Sequence, residues 1–88
     1  MKKIIYVYMS EDCNDPFLYT TEKEAIEAVE DEINYYADKW GDDDESVIEA
    51  RQDFKKSIEG GIEIDKWYGT SILDNVFGFH VREVEFYD

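Results

Sequence analysis

Apolar and polar positions alternate at the start of the chain and give way to a helical spacing after residue 20. From Lys3 to Met9 the residues Ile5, Val7 and Met9 fall on one face of a strand and Ile4, Tyr6 and Tyr8 on the other. Both faces are mostly apolar, which predicts a central strand or one whose second face meets something else. Residues 10–16 hold Asp12, Asn14, Asp15 and the single proline, so they read as a turn. Residues 17–20 then form a short second strand, making residues 3–20 a hairpin.

A different period follows. Thr21 and Glu24 stand three apart and fit a capping box, in which the threonine hydroxyl caps an amide and the glutamate reaches back. The spacing predicts a helix over 22–40, with Gly41 as its stop. Ile26, Val29, Ile33, Tyr36, Ala37 and Trp40 share one stripe, which faces the sheet. One of Asp42, Asp43 and Asp44 caps a second helix over 46–59, whose inward residues are Val47, Ala50, Phe54 and Ile58. Gly60 and Gly61 end it. Residues 62–68 alternate and read as a third strand, 69–75 as a loop and 76–87 as the last strand. There Phe77, Phe79 and Val81 share a face that Val84 and Phe86 do not, so a bulge or a change of burial is expected near Arg82 and Glu83. The order β-β-α-α-β-β predicts a single two-layer α+β domain over 1–88, an antiparallel sheet of three to four strands packed by two helices.

Charge changes this picture by its location. The chain carries −14, and residues 22–49 hold 12 acids against Lys23 and Lys39, a formal −10. Such a balance disfavours nucleic acid or an anionic membrane as a direct ligand and favours a basic protein partner, a cation or simple solubility. Seven of the nine basic residues are lysines, which speaks against a salt-adapted surface. The basic and then apolar N-terminus stops at Met9, too short for a signal peptide or a membrane span, so a cytoplasmic protein is expected.

Candidate chemistry is sparse. Cys13 and His80 are the available thiol and imidazole, but Glu11, Asp12 and Asp15 surround the cysteine with charge that opposes a thiolate. No catalytic residue is assigned and no enzyme is expected. A calcium loop beginning at Asp42 places Val47 where glycine is required and Asp53, inside the second helix, at the twelfth position. No metal site and no cofactor are assigned.

The outer face of the first helix holds the remaining signal. Glu24, Glu27, Asp31 and Asp38 fall within a narrow arc that also contains Tyr35, and Asp42, Asp43, Asp44 and Glu45 continue the acidity past its end. Glu27 and Asp31 are a like-charge i,i+4 pair, which costs about 0.2–0.5 kcal/mol in an isolated helix. Seven acids on a helix about 28 Å long give about one charge per 4 Å, below the ~1.7 Å of duplex DNA. The helix therefore imitates one strand at best. A solvated face kept acidic for solubility is the alternative. Tyr6, Tyr8, Trp67, Tyr68 and Tyr87 add an aromatic sheet face as a second candidate interaction surface, one that an adaptor or a homodimer would use.

In size, single α+β domain, acidic segment 22–49 and lack of catalytic groups, the chain resembles the small acidic proteins of phages and mobile elements, among them DNA-mimic anti-restriction and anti-CRISPR inhibitors. The resemblance implies a non-enzymatic inhibitor that binds the basic nucleic-acid-binding surface of a host nuclease or defence protein, in the cytoplasm of a bacterial host. Glu24, Glu27, Asp31, Asp38, Asp42, Asp43, Asp44 and Glu45 would then meet lysines and arginines, with Tyr35 as an apolar anchor.

Overall fold

A computed structural model describes residues 1–11 and 13–85 of the chain, with the backbone alone for 13–15. The elements are β1 (Lys2–Ser10), β2 (Cys13–Tyr19), α1 (Glu22–Trp40), α2 (Glu45–Ile58), β3 (Trp67–Ile72) and β4 (Asn75–Glu85). The four strands form one antiparallel sheet in the order β2-β1-β4-β3, so the expected fold class and element order hold. β1 is central, as its two apolar faces predict. Both helices lie on one face of the sheet. The molecule is 18 Å across its thinnest dimension, room for one sheet and one layer of helices. The other face of the sheet is left uncovered.

The core forms where the helical stripes meet the inward residues of the strands. Phe77, Phe79 and Val81 of β4, Tyr8 of β1 and Tyr68 and Ile72 of β3 are buried against Ala25, Val29, Ile33 and Ala37 of α1 and Val47, Ala50 and Phe54 of α2. Phe79 is the hub, with the rings of Tyr6 and Tyr68 at 5.9 Å and Phe54 at 6.4 Å. The small side chains Ala25, Ala37 and Ala50 let the helices sit close to the sheet. The buried stripe of α1 is turned from the expected one: Ala25 is fully buried, Ile26 and Tyr36 are half-buried, and Trp40 is 40% exposed.

The helix ends follow local chemistry. The Thr21 side chain accepts from the Glu24 amide, and Thr21 also donates its hydroxyl to Glu24 Oε1 at 2.9 Å. Gly41 stops α1 at φ 96°, a left-handed conformation suited to glycine, with its amide on the Ala37 carbonyl. Asp44 caps α2 by accepting from the Ser46 amide at 2.9 Å.

The second half of the sheet corrects the sequence reading in two places. The expected third strand over 62–68 begins only at Trp67. Ile62 turns into the core and Asp65 breaks the alternation at φ 66°. The expected loop over 69–75 is mostly strand; only Leu73 and Asp74 form the turn, between the paired residues Ile72 and Asn75. Near Arg82 the expected change of burial occurs without a bulge: Val81 is buried and Glu83 exposed, while the register with β1 runs unbroken from Lys2↔Glu85 to Ser10↔Phe77. Val84 simply faces the uncovered side. The irregularity lies instead between β1 and β2, at Tyr8 and Ser10, and Cys13 already belongs to β2. Phe86 and Tyr87 lie outside the described residues.

Leu73 holds φ 54° in the two-residue turn and is 70% exposed. A left-handed backbone costs a residue with a Cβ about 1–2 kcal/mol. Leu73→Gly removes that cost and gives back part of it as unfolded-chain entropy. The variant should be more stable by about 0.5–1 kcal/mol, read as a thermal midpoint several degrees higher.

Candidate functional site

The 19 residues of α1 place the acidic arc on the side away from the core. Its apolar period fixes Ala25, Val29, Ile33 and Ala37 on the sheet, and rotation by half a turn brings Glu24, Glu27, Asp31, Tyr35 and Asp38 outward. All five are exposed. The Glu27–Asp31 like-charge spacing is thus present on the surface of the folded protein.

The side chains in that arc have different surroundings. Glu24 is held by Thr21 in the helix cap. Lys23 Nζ stands 3.9 Å from Glu27 Oε1. Asp31 and Asp38 have no ion-pair partner among the described residues. Tyr35, expected as an apolar anchor, is 53% exposed but already engaged: Lys39 Nζ lies 4.6 Å over its ring, and Tyr36 meets it edge to face at 5.4 Å. Its accessible surface is correspondingly smaller than the sequence suggests.

The acids after α1 do not simply extend the arc. Arg51 reaches across from α2, donating to Asn34 Oδ1 at 2.8 Å and approaching Asp42 Oδ1 to 3.7 Å. Asp44 is half-buried as the cap of α2. Asp42, Asp43 and Glu45 are exposed, the last two without an ion-pair partner among the described residues. Of the predicted acids, those with neither an ion pair nor a capping role among the described residues are therefore Asp31 and Asp38 on the helix and Asp43 and Glu45 beyond it. The sequence hides the role of Arg51, because the contact depends on α2 folding back against α1.

Two further acids of α1 act on residues of β1. Glu32 accepts from the Tyr8 hydroxyl at 2.5 Å and from the Ser10 hydroxyl at 3.3 Å, tying α1 to the central strand. Burial pushes the Tyr6 hydroxyl above its ordinary pKa, and the negative charge of Glu22 adds to the shift. By contrast α2 is balanced: Glu45, Glu49 and Asp53 stand against Arg51, Lys55 and Lys56. The charge excess belongs to α1 and the connection after it.

The uncovered sheet face differs from the expected aromatic one. Tyr6, Tyr8 and Tyr68 point to the helices and join or border the core, and Tyr87 lies outside the described residues. Trp67 alone of that group lies on the open side. There it joins Ile5, Val7, Met9, Leu18, Val76 and Val84, with His80 among them and Lys3 and Arg82 at one end. No carboxylate stands at these strand positions. The face is aliphatic, acid-free and opposite the acidic helix. Its signal in the sequence was the odd-numbered run Ile5, Val7, Met9.

Neither surface brings catalytic groups together. β2 and β4 flank β1 on opposite sides, and Cys13 lies opposite Ser10 while His80 lies opposite Val7, so their backbones are separated by two strand spacings, about 10 Å, across the sheet and by three residues along it. Among the described residues no three His, Cys, Asp or Glu side chains are grouped to hold a metal ion, and no helix is long and apolar enough to cross a membrane. Comparison with protein-family models, with curated proteins and with solved structures found no match.

Proposed function

We propose that the protein is a non-enzymatic inhibitor whose acidic helix occupies the basic, nucleic-acid-binding surface of a nuclease or defence protein. The observation that carries the reading is the exposed row Glu24, Glu27, Asp31 and Asp38 along one side of α1. Glu24, Glu27 and Asp31 stand on successive turns about 5–6 Å apart, the scale on which phosphates recur along a strand, and Asp38 follows two turns, about 10 Å, further on. A helix selected for stability alone would interleave cations, as α2 does. Asp31 and Asp38 form the centre of the surface, and Asp43 and Glu45 extend it. Binding of this kind weakens steeply with salt and is competitive with DNA. The test is displacement of the bound partner by duplex DNA, with charge reversal at Asp31 and Asp38 as the control.

The acid-free sheet face supports a second reading, a small adaptor or homodimer that buries this aliphatic surface. Exposed apolar patches of several hundred Å² mark interaction sites. Two copies stacked on this face would hold their acidic helices on the outside, as far apart as the fold allows. Light scattering at two protein concentrations separates the readings: a dimer lost in Val7→Lys supports the adaptor, and a monomer at both concentrations excludes the homodimer.

A further inference from the structure

The sheet has two edges, and their chemistry differs. β2 carries Asp15 and Pro16, and charge and proline are the usual means of blocking an edge. β3 reads Trp67, Tyr68, Gly69, Thr70, Ser71, Ile72, with no charge and no proline in a chain that is 36% charged. Two charged residues would be the ordinary expectation for a six-residue edge of this composition.

The register identifies the backbone groups that this edge presents. Ile72 and Asn75 flank a two-residue turn, and the closing pair of such a hairpin exchanges hydrogen bonds. Counting back by twos, Thr70 and Tyr68 bond to β4, while Ser71, Gly69 and Trp67 turn their amides and carbonyls outward. The far side of β4 agrees. The Val76 carbonyl accepts from Glu11 at 3.0 Å on the β1 side, and Val81 exchanges bonds with Asp65 and Lys66 on the β3 side. No hydrogen bond among the described residues takes up the Gly69 or Ser71 amide.

α2 lies over β3, and the two bound a groove of about 660 Å³ beside this edge, lined in part by Gln52, Asp53, Lys56, Thr70 and Ser71. Thr70 is fixed there by its hydroxyl on Asp53 at 3.2 Å. The groove decides what fits. A second copy joined edge to edge in the antiparallel sense would bring its own α2 toward the ~4.8 Å strand spacing, whereas packed helices need about 8–10 Å. A bare extended segment has no such helix.

We propose that the β3 edge takes up an extended segment of a partner protein as a fifth strand of the sheet. The partner's backbone pairs with Trp67, Gly69 and Ser71. Its alternate side chains enter the groove beside Gln52, Asp53 and Lys56, where polar residues fit, and the others lie next to Trp67, where apolar or β-branched residues fit. The net charge of −14 selects a neutral or basic segment. This surface is separate from the acidic helix, so the two stand or fall independently.

The probe is an acetylated and amidated KTVTVTK peptide, titrated to about 1 mM into isotopically labelled protein and followed by NMR. The Gly69 and Ser71 amides should shift, and their hydrogen exchange should slow about tenfold or more. The same peptide N-methylated on alternate residues should do neither. Ser71→Pro removes one outward donor and should weaken binding about fivefold. Unmoved Gly69 and Ser71 amides, or equal binding of the N-methylated peptide, would overturn the proposal; the peptide controls decide it even if Ser71→Pro does not fold. Protection of those amides that rises with protein concentration alone would also overturn it, by making a second copy the occupant.

Discussion

Gly78→Ala should unfold most of the protein at temperatures where the parent is stable. Gly78 of β4 faces Gly69 of β3 directly across the sheet. A Cβ built on Gly78 would lie 2.3 Å from the Tyr68 carbonyl oxygen and 2.5 Å from the Gly69 Cα, and 3.0 Å from Cζ2 of Trp67. Trp67 can swing aside, but the other two contacts are backbone in a paired strand, and relieving them means separating β3 from β4. Overpacking costs about 1–3 kcal/mol where side chains can adjust, and more where they cannot. A cost of about 3 kcal/mol is a large share of the roughly 4–13 kcal/mol available to a domain of this size. Thermal denaturation should show a midpoint lower by about 12–24 °C. Gly69→Ala meets the Phe77 carbonyl oxygen at 2.4 Å and should behave alike. A shift of only a degree or two in both variants would contradict this account of β3 and β4.

The second large effect separates binding from stability. In Asp31→Lys/Asp38→Lys the acidic row loses both members that have neither an ion-pair nor a hydrogen-bond partner among the described residues, a change of four charges along it. Binding to a basic surface should weaken about 100-fold, or about 2.7 kcal/mol, and lose much of its salt dependence. Folding should not suffer. Asp31→Lys replaces a like-charge neighbour of Glu27 with an attractive one in the favoured order, and Asp38→Lys places a cation near the C-terminal end of α1. Each contributes a few tenths of a kcal/mol, so the thermal midpoint should hold or rise by a few degrees. Charge reversal at Glu27 is a poorer test, because it would break the Lys23 contact at 3.9 Å and crowd two lysines on adjacent turns. A variant that folds better and binds worse assigns Asp31 and Asp38 to recognition.

How far the sequence reveals these features depends on whether the cause is local. α1 is legible from end to end, because Thr21 and Glu24 start it, a 3.6-residue apolar period continues it and Gly41 stops it within one segment. The acidic arc follows from the same period. β3 is not legible. Ile62, Glu63 and Ile64 alternate as a strand does, but Ile62 is drawn into the core and Asp65 turns the chain. Gly69 reads as a loop residue, yet it is glycine because Gly78 approaches it across the sheet, and that pairing is visible only in three dimensions. The acids after α1 show the same limit. Arg51 lies outside the acidic segment in sequence and folds back onto Asp42 and Asn34, which shortens the acidic surface. The tyrosines reverse their expected roles for a related reason: alternation fixes that Tyr6 and Tyr8 share a face, but only the placement of the helices decides that this face is the covered one.

If the acidic helix takes the place of nucleic acid, duplex DNA should displace whatever it holds. The protein is immobilised beside its Asp31→Lys/Asp38→Lys form, bacterial lysate is passed over both at low salt, and the columns are eluted with duplex DNA. Nucleic-acid-binding proteins should be held by the parent, missing from the variant and released by the DNA. Proteins retained equally by both forms, or unmoved by an excess of duplex, would contradict it.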